Sequence, residues 1–171
     1  MRQDGKTAGH GGRGPSHEPR ESAIVGDMQA NYIIELQNDL CSIGKSVEYL
    51  IERGAEAGFA TDRLRLNLRV GLSEALANAM LYGNCRDPRK RVRVEARITP
   101  DEIKVRVTDE GHGFNPQKLA DPTLPGHRKR VGGRGIYLIR KMMDYVEFND
   151  KGNSITMVLT RSEPAERAAG A

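Results

Sequence analysis

The chain has 171 residues, a formal net charge of +4 and two cysteines. That length makes one ordinary domain with room for a sizeable core. No apolar run approaches the ~20 residues a membrane span needs, the N-terminus lacks a signal-peptide core, and Cys41 and Cys85 stand singly. A membrane protein, a disulfide framework and a Cys/His zinc site are therefore all disfavoured, and a cytoplasmic protein is expected.

The first 26 residues hold four Lys/Arg against three Asp/Glu and hardly any apolar side chain before Ile24, so they cannot repay the entropy of ordering. They read as a disordered tail, as do residues 162–171. With no aromatic interleaving, the Gly/Arg-rich tail gives no reason to expect direct nucleic-acid binding. The domain is expected over 27–161, where Arg128, Lys129, Arg130 and Arg134 form a basic cluster that suits either a polyphosphate or plain solvent.

The elements begin with a β-prone stretch at Tyr32 to Leu36. A first helix comes next, capped by Ser42, with Ile43, Val47, Leu50 and Ile51 in an apolar stripe that ends near Gly54 or Gly58. Thr61 is the expected cap of a second helix, on which Leu64, Leu68 and Leu72 recur at four and which Gly83 and Asn84 stop. Val92, Val94, Ala96 and Ile98 alternate with charged residues, as do Ile103, Val105 and Val107, around a turn at Thr99 to Asp101. This predicts an antiparallel hairpin with one buried face. After a loop from Asn115 to Arg134 come a helix over about Gly135 to Met143 and strands at Tyr145 to Asn149 and Ser154 to Arg161, turning at Lys151 and Gly152. The expected fold is α+β: a two-layer sandwich with helices on one face of a mixed, mostly antiparallel sheet.

Three patterns carry chemistry. Asp109 continues the inward series Ile103, Val105, Val107, which points an acid at the helical layer, and a buried acid needs donors such as an adenine amine. Viewed alone, the D-E-G-H-G run also reads as an ordinary turn. Glu74 and Asn78, four apart on the second helix, share a face on which an amide oxygen would hold Mg²⁺ and a carboxylate would take a proton, although an exposed Glu and a helix-terminal Asn are the plainer reading. Gly132, Gly133 and Gly135 open the third helix with bare backbone N–H groups, a phosphate-binding geometry, and Arg134 between them is placed to reach phosphate oxygens; a simple hinge is the alternative.

In this order the three patterns resemble the GHKL ATPase superfamily, to which gyrase, heat-shock chaperone, histidine kinase and MutL domains belong. More closely they resemble its stand-alone anti-sigma-factor serine/threonine kinases, over about Tyr32 to Arg161. G-L-S-E-A-L-A-N-A-M-L-Y-G-N is similar to the family's N box, with Glu74 matching the catalytic base and Asn78 the Mg²⁺ ligand. T-D-E-G-H-G-F-N-P is similar to the first glycine box, so Asp109 matches the adenine-binding acid and Gly111 and Gly113 the wall beside the base. G-G-R-G-I-Y-L is similar to the second, with Gly133 and Gly135 at the triphosphate. Tyr82 departs from the His common at its position, and in place of the last box's Gly-Thr pair stand Asn153 with Ser154 or Thr156.

The resemblance implies ATP and Mg²⁺ as cofactors, an anti-sigma-factor antagonist as the phosphorylated partner and an RNA polymerase sigma factor as the competing one. Two other outcomes go with it: an ATP-gated binding module without phosphoryl transfer, and a phosphorelay-associated ATPase domain. Homodimers are common among such proteins. The edge of the strand near Tyr32 is the place for one, though nothing in the pattern decides it.

Overall fold

The computed structural model describes residues 22–26, 29–116 and 133–161. The strands are β1 (Ser22–Gly26), β2 (Gln29–Gln37), β3 (Arg91–Ile98), β4 (Glu102–Asp109), β5 (Tyr145–Phe148) and β6 (Ser154–Thr160). They form one antiparallel sheet in the order β1-β2-β3-β4-β6-β5. Helices α1 (Cys41–Glu56), α2 (61–83) and α3 (Gly133–Met142) form the second layer, an α+β sandwich as the alternation predicts.

The alternation becomes the sheet's two faces. Ile34, Leu36, Val92, Val94, Ala96, Ile98, Ile103, Val105 and Val107 are buried against the helices, while Arg93, Arg97, Lys104 and Arg106 stay on the solvent side. Arg93 pairs there with Glu35 at 2.9 Å.

The inner end of the expected N-terminal tail is corrected. Ser22–Gly26 pairs antiparallel with β2, Ser22 opposite Ile33 and Gly26 opposite Gln29. Short as it is, this β-branched run needs only a neighbouring strand's backbone to satisfy its own. β2 is therefore no edge over residues 29–33, and the sheet's edges are β1 and β5. Residues 1–21 and 162–171 lie outside the described residues.

Two caps differ from expectation. The Cys41 N–H donates to Asp39 Oδ1 at 3.0 Å and the Ser42 hydroxyl donates to the Asp39 carbonyl at 2.6 Å, so Asp39 opens α1 and Ser42 supports it. Thr61 is the first helical residue of α2 rather than a cap, and the Leu64 N–H reaches back to the Ala60 carbonyl at 3.1 Å.

α2 is not uniform. Its middle, Arg69–Asn78, is α-helical, whereas Arg63–Leu68 and Ala79–Gly83 are wound more widely, as π-helix. Leu64, Leu68, Leu72, Leu76 and Met80 are all fully buried, at a strict spacing of four. On a regular helix of 3.6 residues per turn, that spacing drifts about 40° at each step. The wider turns take up the drift and keep the five side chains on the core. They also set how the C-terminal end of α2 meets β4, since wide turns of this kind recur where function needs a local reorientation.

The far side of α2 faces α3. Asn67 Nδ2 donates to the Met142 carbonyl at 2.7 Å, and at Gly71 a Cβ would stand 2.8 Å from Met143 Sδ. Arg63, at the start of α2, pairs at 2.6 Å with Asp144, whose side chain is only 4% exposed and also accepts from the Thr160 N–H and hydroxyl, both at 2.8 Å. α2, the start of β5 and the end of β6 are thus tied at one carboxylate.

Candidate functional site

α2 runs past two of the three chemical patterns and ends on the third. Glu74 and Asn78 lie on the side that meets α3. A Cβ at Gly135 would stand 2.8 Å from Glu74 Oε2, 3.1 Å from Asn78 Nδ2 and 3.3 Å from Asn78 Oδ1. Only glycine lets the α3 backbone come this close while the space beside it stays open. The first N–H groups of α3 are unused by the helix itself, so partial positive charge collects next to a carboxylate and an amide. Among the described residues, the buried Asn78 Nδ2 has no hydrogen-bond partner. A buried amide donor left unpaired is costly, and a phosphate oxygen arriving at this spot would satisfy it. Asn78 Oδ1 is a hard oxygen donor of the kind Mg²⁺ takes alongside phosphate oxygens and waters.

Further along α2, past its last wide turn, Gly83 meets the end of β4. Asp109 is half-buried there, its carboxylate against Gly83, where a Cβ would lie 2.7 Å from Asp109 Oδ1. Gly111 packs on the Gly83 carbonyl, where any Cβ would collide. Asp109 Oδ1 accepts the Gly111 N–H at 2.8 Å. Burial raises the Asp109 carboxyl above its ordinary pKa, against the opposing pull of the Gly111 N–H and of Lys151 and Lys90. The acid is held by the Gly111 N–H and faces the end of α2, the direction its strand parity suggests.

The glycine loop is locked from the other side by the β5–β6 turn. Gly113 and Gly152 both hold positive φ, 76° and 72°. A Cβ on Gly113 would strike the Lys151 carbonyl, and one on Gly152 the Phe114 carbonyl. Phe114 and Phe148 meet edge to face at 5.3 Å. Asn153 closes the contact: its Nδ2 donates to the Asp109 carbonyl at 2.9 Å, and its own carbonyl accepts the Asp109 N–H at 3.0 Å.

Residues 42–159 match the histidine kinase-like ATPase domain family, more than half of the chain. The chain belongs to that family. It is also similar to proteins named serine-protein kinase RsbW. That of Bacillus subtilis (strain 168) is 30% identical over 116 residues, 64% of this chain and 71% of the relative. That of Listeria innocua serovar 6a is 29% identical over 110 residues, 60% and 69% of the two chains. A third, from Oceanobacillus iheyensis, is 28% identical over 107 residues, 59% and 67%.

Within this histidine kinase-like ATPase domain the fold brings together Glu74, Asn78 and Gly135 along the middle of α2, and Asp109, Gly111 and Gly113 beyond its C-terminal end. Gly133 lies in the first turn of α3, and Arg134, beside it, is exposed. Gly132, Arg128, Lys129 and Arg130 fall outside the described residues. Of the replacements for the last glycine box, only Asn153 sits at Asp109. Ser154 and Thr156 are on the opposite face of the sheet, bonded to the Thr108 hydroxyl at 2.8 Å and to Arg106 Nε at 3.3 Å. Tyr82, in place of the common His, is exposed.

In the sequence Asn84 reads only as a helix stop, but the structure buries it completely just past the end of α2. The signal that points to it is a polar residue directly after a Gly that ends a fully apolar helix stripe.

Proposed function

We propose that this chain is an ATP-dependent protein serine/threonine kinase acting as an anti-sigma factor, with an anti-sigma-factor antagonist as its phosphorylated partner. The observation that carries the reading is the approach of the α3 backbone at Gly135 to Glu74 and Asn78, on the same helix whose C-terminal end meets the half-buried Asp109. The relatives' names supply the reaction class. In this reading the nucleotide-binding unit is residues 22–161, which adds β1 to the expected 27–161.

Asp109 accepts the adenine amine, its Oδ1 already holding the Gly111 N–H and its Oδ2 left for the base. Gly111 and Gly113 keep the wall beside the base free of side chains. The N–H groups of Gly133, Arg134 and Gly135, with the Arg134 guanidinium, hold phosphate oxygens. Asn78 would hold Mg²⁺ through Oδ1, and the ion when bound supplies charge neutralisation across the phosphate oxygens. Glu74 accepts the proton of the partner's Ser or Thr hydroxyl. That oxygen bonds to the γ-phosphorus, the bond from the γ-phosphorus to its bridging oxygen breaks, and ADP leaves. An RNA polymerase sigma factor is the competing partner, held by the kinase once the phosphorylated antagonist no longer binds. The protein works in the cytoplasm, contacts no nucleic acid directly, and a homodimer is compatible with its open sheet edges.

The test is transfer from γ-labelled ATP to a co-encoded antagonist candidate. The reading expects acid-stable label on Ser or Thr with the native chain. Glu74→Ala should keep ATP binding and lose transfer by at least about 10²-fold, the range of general-base catalysis. Nucleotide-dependent antagonist binding with no label would leave a binding module instead, and acid-labile label would indicate a phosphorelay. Full turnover in Glu74→Ala would remove that residue from the mechanism.

A further inference from the structure

We infer that Asn84 is a positioning residue for adenine selectivity: its buried amide fixes the height of the Asp109–Gly111 loop over the end of α2. This rests on the nucleotide reading above and concerns a residue that touches no ligand.

Asn84 is wholly buried, at 0% exposure, where most helix ends leave polar groups to solvent. Its N–H donates to the Ala79 carbonyl at 2.7 Å and closes the last wide turn of α2. Its Oδ1 accepts the Glu110 N–H at 2.9 Å. Its Nδ2 donates to the Arg91 carbonyl at 2.9 Å and to Asn38 Oδ1 at 3.3 Å, and Asn38 Nδ2 donates in turn to the Met80 carbonyl at 3.3 Å. One side chain thus joins the end of α2, the start of β3, the segment after β2 and the peptide between Asp109 and Gly111. A buried amide is tolerated when it is fully bonded, and then it rigidifies the segments it joins.

The two residues after Asn84 are under the same constraint. Cys85 and Arg86 both hold positive φ, 55° and 61°, a conformation that non-glycine residues keep only where surrounding contacts impose it. Glu110 contributes from its own side, as its Oε2 accepts the Arg91 N–H at 2.8 Å. The Asn84 amide and the Glu110 carboxylate therefore clamp the start of β3 and the loop together. Because Gly111 already rests on the Gly83 carbonyl, and the Asp109 carboxylate on Gly83, a small shift at Glu110 moves the acid relative to the base it reads. None of the hydrogen bonds of the Asn84 side chain goes to Glu74, Asn78 or Gly135.

The test uses the full chain and calorimetric titration with ATP, GTP and inorganic triphosphate, each with Mg²⁺. Asn84→Ala should bind ATP about tenfold more weakly, the scale of losing a buried hydrogen bond and the order it imposes. GTP and triphosphate binding should stay within about twofold, so the preference for ATP over GTP falls about tenfold. Asn38→Ala, which breaks the outer half of the network without touching Glu110, should lower the melting temperature and leave the preference intact. An unchanged preference in Asn84→Ala overturns the inference. A native chain that binds no ATP overturns the nucleotide reading itself. Should Asn84→Ala not fold, hydrogen exchange of the native protein decides: ADP should slow the Glu110 amide and triphosphate should not, and equal behaviour with both ligands overturns the inference.

Discussion

Asp109 carries a cost that the fold accepts. Burial raises its pKa above that of the unfolded chain, so the folded state holds the proton more tightly and loses stability as pH rises through the interval between the two values. Asp109→Asn should therefore melt higher than the native protein at neutral pH. The gain should vanish below the ordinary carboxylate range, where both states of the native acid are protonated. Thermal melts of the two proteins between pH 3 and 8, on the order of one pH unit apart, check this; a constant difference across the range would mean the acid is not desolvated.

The direction of this carboxylate was legible because strand parity is a strict alternation, and Ile103, Val105 and Val107 set its phase. The role of Asn84 was not, because its partners Asn38, Arg91 and Glu110 come from three other segments and no local period connects them. The same limit applied to the last glycine box. Only the register of β6 against β4 shows that Asn153 meets Asp109 while Ser154 and Thr156 turn away.

Among the elements, α2 does the most positioning. Its spacing of four identified a buried face, but periodicity alone could not distinguish a regular helix from one wound wide at both ends. The α2–α3 contact is where this geometry meets chemistry. A methyl at Gly135 would press on the flexible end of Glu74 and on the Asn78 amide rather than on backbone. Gly135→Ala should therefore fold, with a melting temperature within about 5 °C of the native chain. It should lose phosphoryl transfer by about tenfold or more through the displaced carboxylate and the narrowed phosphate space. Native activity in that variant would show that the close approach of α3 serves packing alone. Helix starts were harder to place. Asp39 and Ser42 divide the capping of α1, and Thr61 is taken into α2, because side-chain choices at a cap depend on how the preceding chain enters.

For the molecule as a whole, the two layers and the β3–β4 hairpin were legible in alternation, turn residues and helix stripes, whereas the strand order was not, since the β2–β3 and β4–β6 pairings join segments far apart in the chain. Nor was β1, since five residues beside a polar, glycine-rich stretch give too short a pattern to separate from a tail. The end of the described chain is fastened by Arg161. Its guanidinium lies 4.6 Å over the Phe59 ring and donates to the Gly58 and Ala57 carbonyls at 2.6 and 2.8 Å, while its Nε donates to the Pro100 carbonyl. It thus joins the end of β6 to the α1–α2 connection and the β3–β4 turn. Arg161→Ala should cost about 1–2 kcal/mol, read as a lower urea midpoint with an unchanged slope, without altering nucleotide affinity. A loss of affinity equal to that of Asp109→Asn would mean the clamp reaches the site.

Among the described residues no helix is long and apolar enough to cross a membrane. The described residues form one sheet with three helices, in which α2 runs from its contact with Gly135 to Gly83 beside the half-buried Asp109. The claim that these form one nucleotide pocket is tested most directly by titrating ATP with Mg²⁺ into the native chain and into Asp109→Asn by calorimetry. Saturable one-site binding is expected of the native protein, weakened at least about tenfold in a variant that still folds. Equal affinity for the two proteins would contradict a shared pocket.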